Sequence, residues 1–573
     1  MRQRKTADGQ GCGVARVVMS DTAPTLAPHY YRANFLVLCD TVEAQYADLL
    51  SGPERDWLQT LRTLPFQAQC LYVRLVSRVG PWFRESRLDY PEIGALEPVI
   101  DTLVRAKMLQ QAAALSVDEL GALYTRAELQ QACAARLSCT LHAASKAALL
   151  ETIEAWSLGG EVHAQLAAAV DAQRIVAPCH VEQVQLFQLL FFGNRRQSLT
   201  DFVLSDLGVA RYYPYPLDRR FRLFEQRAAL DEYLACAAFE DDWRQCRDTG
   251  DGAALPELAA QLLSRRIRYP SSEGRWHRLC NAVGRELERL GELDLAARLY
   301  ARSQCHPARE RRARIHERRK DWTAAAALCR EILSEPWCEA ESEAAGRILS
   351  RARRRLGEPP APRRRDAFVE LVLSLPREQS PVELRAAQHL AAHWHAVHYV
   401  ENSLMNALFG LAFWEQIFAP VPGVFHNPYQ SAPADMYAPE FRARRRQQLA
   451  LRLEQLRTGN IPAMLDAAWR DYAGLQCRWV DWRRLDRELL ASAARTLPAG
   501  HLLAIWERML FDPRDNRRGF PDLLALGAQP GDYCLIEVKG PGDALQDSQK
   551  RWLRYFSAQG IPAAVARVEW THD

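Results

Sequence analysis

From Tyr30 to Val104 apolar residues recur at intervals of three and four, in NFLVLCDTVEAQYADLL and LPFQAQCLYVRLVSRVGPWF. That is the spacing of one buried face on an α-helix. Helical spacing resumes in YTRAELQQACAARLSCTLHAASKAALLETIEAW (124–156), which reads as two short helices around a polar connector, and again in an Ala- and Arg-rich stretch from 255 to 357. Between these lie an apolar run, LFQLLFF, and an aromatic, basic stretch, RYYPYPLDRRFRLF. Past residue 366 a helical region holding HYVENSLMNALFGLAFWEQIF leads to a loop and further helices. The period then changes. FPDLLALG and DYCLIEVKG read as adjacent strands, DALQDSQKRWLRYFSAQG as a helix and PAAVARVEW as a final strand. Asp543 with Gln546 three residues on predicts a capping box for that helix, set off from its strand by Pro541 and Gly542.

A chain of 573 residues exceeds a single core and, at roughly 100 to 200 residues per domain, predicts three or four domains. With 48% hydrophobic and 25% charged residues it has ordinary globular usage. The net charge is only +4, yet all but six of the 74 basic residues are Arg, whose forks suit phosphate contacts. A GC-rich genome gives the same bias, so composition alone does not point to nucleic acid. The 14 Cys contain no C-x2-C pair, which argues against a zinc ribbon or a dense disulfide framework. No apolar run reaches the roughly 20 residues of a membrane span; the longest candidate, Leu404 to Phe425, holds Asn406, Glu415, Gln416 and two Pro.

These patterns divide the chain into a loose tail (1–27), an N-terminal helical domain proposed to bind DNA (28–120), a helical pair (121–160), a helical domain (161–350), a linker with three Pro and seven Arg (351–365) and a C-terminal domain (366–573). The helical pair, with Lys146 near its second start, resembles the SAP module, a small DNA-binding hairpin. GRELERLGELDLAARLY sets Gly284, Ala296 and Tyr300 at offsets of a tetratricopeptide repeat, and KDWTAAAALCREIL echoes it further on. Arg74, Arg78, Arg84 and Arg87 interleave with Trp82 and Phe83. They fit either a phosphate grip or snorkelling stems over a core. RRARIHERRK (311–320) carries the same two readings.

The last domain holds the candidate chemistry. Its order of helix, two strands, helix and strand is the minimal core of many metal-dependent nucleases. Side chains alternate along a strand, so Glu537 and Lys539 share one face, with the carbonyl of Val538 between them and Asp522 on the neighbouring strand. Two carboxylates and a carbonyl are hard oxygen ligands suited to Mg2+ or Mn2+. Pro-Asp followed fifteen residues later by Glu-x-Lys therefore reads as a site for phosphodiester hydrolysis, with Lys539 orienting water and offsetting developing charge.

RRGFPDLLAL and LIEVKGPGDALQDSQKRWL resemble the virus-type replication-repair nuclease (VRR-NUC) domain of the PD-(D/E)xK superfamily. With VENSLMNALFGLAFWEQIF, PVPGVFHNPYQSAPADMY, YYRANFLVLC and LYVRLVSRVGPWF, the chain is similar from residue 28 to 573 to the Fanconi-anaemia-associated nuclease family. The resemblance implies a multidomain, mainly α protein with a SAP-like module, a TPR-like array and a C-terminal α/β nuclease domain. It carries over Asp522, Glu537 and Lys539, adds Glu401, placed in a helix, as a further metal ligand, and points to Gln549 as a contact to metal water or phosphate, with Trp552 as core. It implies a 5′ flap endonuclease with 5′–3′ exonuclease activity in interstrand-crosslink repair, acting on branched DNA as a monomer in a bacterial, nucleoid-associated cytoplasm. No ubiquitin-binding zinc finger is evident at its start.

Three rivals stand beside this reading. His389, His393, His395 and His398 ahead of Glu401 raise a zinc enzyme, but they do not share one helical face and no H-E-x-x-H is present. A non-catalytic helical-repeat adaptor predicts a missing carboxylate or Lys, and none is missing. A Holliday-junction resolvase predicts a symmetric dimer, against which the long asymmetric helical region argues.

Overall fold

A computed structural model describes residues 27–571 except 79, 113–114, 133–144, 156–173, 196, 198–209, 360–365 and 378. Most of the expected tail, half of the SAP-like segment and the end of the expected linker lie outside the described residues. The described strands are β1 (Phe83–Arg84), β2 (Leu109–Gln111), β3 (Ile175–Pro178), β4 (Arg211–Tyr212), β5 (Val369–Pro376), β6 (Ala396–Tyr399), β7 (Leu475–Gln476), β8 (Leu523–Leu526), β9 (Tyr533–Lys539) and β10 (Ala563–Thr571). Helices make up most of the rest, so the chain is multidomain and mainly α with a C-terminal α/β unit.

The N-terminal core is closed by a segment far along the chain. β3 pairs antiparallel with both β1 and β2, and the helix Val181–Phe192 buries Val184, Phe187 and Phe191 among Phe35, Trp57 and Leu71. The boundary drawn at residue 161 therefore does not follow the packing. The SAP-like helices are inserted within the N-terminal domain and keep a small core of their own around Leu120, Leu129, Leu149 and Ile153. Arg84 bolts the two together: it is 5% exposed, 2.9 Å from Glu128, and lies over the Tyr124 ring. Such a buried guanidinium has no reach to a phosphate, which corrects the grip reading at this position. Arg74 pairs with Glu92 and lies over Tyr31.

Residues 227–356 form helical hairpins, among them Pro270–Leu290 with Leu293–Ala301 and Ala308–Arg318 with Trp322–Ser334. Gly284 gives the Tyr300 ring room, because a Cβ there would lie 3.0 Å from it; the small residue lets the second helix close on the first. In RRARIHERRK, Arg311 pairs with buried Glu288, Arg314 with Glu310 and Arg319 with Asp294. Much of that stripe is internal bracing. The helix Glu339–Leu356 runs on through Arg351–Leu356, with Ala352 buried. The first residues of the expected linker are thus helical, held by the apolar face that Ala345, Ile348 and Leu349 begin.

The C-terminal sheet has the order β5-β10-β9-β8-β6, with β10 parallel to β5 and β9 and the other pairs antiparallel. Two of its five strands, β5 and β6, were not anticipated, and the HY of HYVENSLMNALF lies in β6 rather than in a helix. One face of the sheet, with Leu523, Ile536, Val538 and Ala566, packs on the helix Val382–Leu390. The other, with Leu524, Tyr533 and Leu535, joins the large core of Trp414, Trp506, Trp552 and Phe556. Tyr215 enters this second core from RYYPYPLDRR, stacked 3.9 Å from Phe425 with its hydroxyl donating to Asn427 O at 2.7 Å. That aromatic, basic stretch is a junction between domains.

Candidate active site

β9 is buried on both faces for most of its length, and its odd-numbered face starts apolar with Tyr533 and Leu535. The same face then ends in Glu537 and Lys539. The site therefore lies where a hydrophobic strand face runs out against the edge of the core. Lys539 Nζ donates to Glu537 Oε1 at 2.6 Å. Glu537 is 1% exposed, and its other carboxylate oxygen, Oε2, is buried without a hydrogen-bond partner. An unpaired buried carboxylate oxygen is costly, so the pocket is short of one donor or cation.

Asp522 sits just before β8 and reaches across to β9, where Oδ2 accepts the Val538 N–H at 2.8 Å. Its own carbonyl accepts the N–H of Val400 at 2.8 Å. These two bonds tie Asp522 to β9 on one side and to the end of β6 on the other. Burial pushes the Asp522 carboxyl up to about 6, against the Val538 N–H and Lys539 and with help from Glu401 and Glu383. Burial likewise pushes Glu537 up to about 7, reinforced by the charge of Asp522 and opposed by Lys539. Burial leads in both, and the Asp522 charge adds to it at Glu537.

Glu401 is not in a helix. It occupies the turn between β6 and the helix Ser403–Ala412, because Asn402 takes a left-handed backbone (φ 51°) that helical geometry excludes. Tyr399 donates its hydroxyl to Glu401 Oε2 at 2.6 Å, and the adjacent carboxylate raises the pKa of that hydroxyl. Tyr399 and Asn402 were not singled out from the sequence. The alternation through β6 would have offered Tyr399 had HYV been read as strand.

Gln549 takes part in a helix cap. The last helix spans Asp547–Gln559, and its capping box is formed by Gln546 and Gln549, whose Oε1 accepts the Gln546 N–H at 2.8 Å. Asp543 instead closes a turn, exchanging bonds with Gly540. The start moved because the segment before Gln546 turns with Pro541 and left-handed Gly542. Trp552 is core: it is fully buried, stacked on Phe520, and donates to Arg518 O at 3.1 Å. Gly519 (φ 83°) is what admits that loop, since a Cβ there would meet the Ser548 carbonyl carbon at 2.6 Å.

The histidines do not gather. The helix Val382–Leu390 ends after His389, while His398 lies on β6. Among the described residues no three His, Cys, Asp or Glu side chains are close enough together to hold a metal ion. In the acidic group Tyr399 engages Glu401 and the Lys539 ammonium sits on Glu537. The donor chemistry nonetheless fits a hard cation, since Glu537 keeps one buried oxygen without a partner beside a second buried acid, Asp522.

A Fanconi-associated nuclease 1 homolog from Pseudomonas aeruginosa is 38% identical to this chain over 555 residues, covering 95% of the chain and 97% of that relative. The chain belongs to this family. A Fanconi-associated nuclease 1 homolog from Arabidopsis thaliana is 25% identical, over 94% of the chain and 67% of the relative. Family models match in chain order: the FAN1 HTH domain over residues 29–110, the Fanconi anemia-associated nuclease SAP domain over 114–168 and the VRR-NUC domain over 457–570. The last excludes β5, β6 and Glu401, which the fold brings to the same sheet. A crystal structure of paFAN1 bound to 2-nucleotide 5′ flap DNA with a gap superposes with a TM-score of 0.82 at 36% identity, covering 96% of this chain and all of that one. A second, with a 1-nucleotide flap, gives 0.78 over the same shares. The family and its nuclease domain make this Fanconi-associated nuclease a DNA nuclease. Among the described residues no helix is long and apolar enough to cross a membrane.

Proposed function

We propose that this nuclease is metal-dependent, cuts branched DNA near a 5′ flap, trims 5′ to 3′, and serves interstrand-crosslink repair as a monomer. The observation that carries the reading is the cluster at the end of β9: Glu537 with a partnerless buried oxygen, Lys539 on its other oxygen, and Asp522 pinned beside them. The flap preference is supported by the relatives bound to 5′ flap DNA.

Asp522, Glu537, Glu401 and the carbonyl of Val538 would hold Mg2+ or Mn2+, which supplies Lewis acidity toward the phosphodiester and lowers the pKa of water. The rest is work for the chain. Lys539, held 2.6 Å from Glu537, orients the attacking water and offsets negative charge that grows on the phosphate oxygens. Asp522 keeps Val538, and with it β9, in register with the end of β8. Leu535, buried on the same strand face as Glu537 and Lys539, keeps the local dielectric low and so strengthens each of these interactions. Gln549, tied into the helix cap, contributes by setting where that helix begins beside the site.

The test is cleavage of end-labelled 5′ flap, 3′ flap, four-way junction and duplex DNA with Mg2+, Mn2+, Zn2+ or chelator. Cutting of the 5′ flap in Mg2+ or Mn2+, abolished by chelator and not restored by Zn2+, is the expected result. Metal-independent cutting, or paired symmetric nicks on the junction in preference to flap cleavage, overturns it.

A further inference from the structure

Glu401 differs from Glu537 in standing on no regular element, and from Asp522 in lacking a bond to β9. Asp522 and Glu537 are fixed by sheet hydrogen bonds, whereas Glu401 projects from a two-residue turn. What sets that turn is Asn402. Its backbone is left-handed, a conformation that Asn and Gly tolerate far better than other residues. Its side-chain Oδ1 accepts the N–H of Phe520 at 3.1 Å, two residues before Asp522. Its carbonyl accepts the Asn406 side-chain N–H at 2.6 Å, and Asn406 also donates to Arg517 O at 3.0 Å. The Nδ2 of Asn402 points back to Glu401 Oε1 at 3.5 Å. Asn402 thus stitches the turn carrying Glu401 to the loop carrying Asp522.

We infer that Asn402 is a positioning residue, which ties the turn carrying Glu401 to the loop carrying Asp522 and so keeps Glu401 within reach of a divalent cation held with Asp522 and Glu537. The inference rests on the reading of Glu401 as a ligand. The Phe520 N–H is the anchor: without it the turn is no longer tied to the loop before Asp522, and Tyr399, already 2.6 Å from Glu401, is left as the main restraint on that carboxylate. Outer partners of metal ligands typically matter by about 10–100-fold in metal affinity or activity.

The test compares Asn402→Gly, Asn402→Asp, Glu401→Gln and the double variant Asn402→Gly/Glu401→Gln in the full chain. Asn402→Gly keeps the turn and removes the stitch, while Asn402→Asp keeps the acceptor for Phe520. Three readouts are taken: Mn2+ affinity by calorimetry without DNA, kcat and KM on a 5′ flap, and the melting temperature. The expected result is a roughly 10-fold or larger fall in Mn2+ affinity and kcat for Asn402→Gly, with KM and melting temperature little changed. Asn402→Asp recovers most of the loss, and the double variant is no worse than Glu401→Gln alone. Wild-type Mn2+ affinity and kcat in Asn402→Gly, or losses that add in the double variant, overturn the role of Asn402 while leaving Glu401 standing. Full activity and Mn2+ affinity in Glu401→Gln remove the ligand reading and the inference with it.

Discussion

Lys539 Nζ lies 2.6 Å from Glu537 Oε1, while the other oxygen of the same carboxylate, Oε2, is buried without a hydrogen-bond partner. One oxygen of the carboxylate is therefore satisfied by the chain and the other is not.

The first expectation follows from that pair. Lys539→Ala, Asp522→Ala and Glu537→Ala each lower kcat by about 100-fold or more, while flap affinity measured by fluorescence anisotropy in Ca2+ stays within about threefold, because phosphate contacts spread over the molecule supply most of the affinity. Substantial cleavage in all three variants would mean that the reaction occurs elsewhere.

The raised acids give a pH dependence of stability in metal-free protein. Unfolded Asp and Glu titrate near about 4, whereas Asp522 and Glu537 hold protons to about 6 and about 7 in the fold. The native state then binds more protons than the unfolded state between those values. Their contribution is complete below about pH 4 and is lost as pH rises through 6 to 7. In chelator, melting temperature should fall from pH 5 to pH 8, and Glu537→Gln should flatten that fall. An unchanged slope in the variant excludes Glu537 as its source.

Arg84 separates bracing from DNA binding. Burial opposes ionisation of Glu128, yet the Thr125 N–H and Arg84 together hold its carboxyl down to about 2. Arg84→Ala should cost about 1.5–3 kcal/mol in urea unfolding, as for a hydrogen bond to a charged group; Arg87, 3.2 Å from the same carboxylate, limits the loss. The salt dependence of flap binding should not change, and a shallower slope would restore Arg84 to the phosphate interface.

Tyr215 tests how far the nuclease core extends. Tyr215→Ala should cost about 3–5 kcal/mol, the range for removing a large buried aromatic, seen as a lower urea midpoint with kcat per folded molecule preserved. A fragment beginning at residue 366 lacks both Tyr215 and the pairs of Arg508 with Glu339 and Arg551 with Glu343. It should melt earlier, bind DNA more weakly and with less salt sensitivity, and lose preference for a 5′ flap over duplex. Full flap preference in a folded fragment would place branch reading in the nuclease domain itself.

The residue pattern by itself determined the elements whose burial is local. β8 and β9, the face shared by Glu537 and Lys539, and the hairpin closed by Gly284 and Tyr300 each follow from a period or a spacing within some twenty residues. Only the tertiary structure decided what depends on distant partners. β5 carries exposed Val369 and Val372 at a sheet edge, and β6 is four residues long, so neither has a clean alternation to read. Their identity as strands comes from pairing with β10 and β8, nearly 200 and more than 120 residues away. The same holds for β3 closing the N-terminal core across the SAP-like insertion, and for Glu401, whose place depends on a left-handed Asn402 bonded to Phe520. A local pattern specifies which face of an element is apolar, but which distant surface covers that face is settled only when the whole chain buries it.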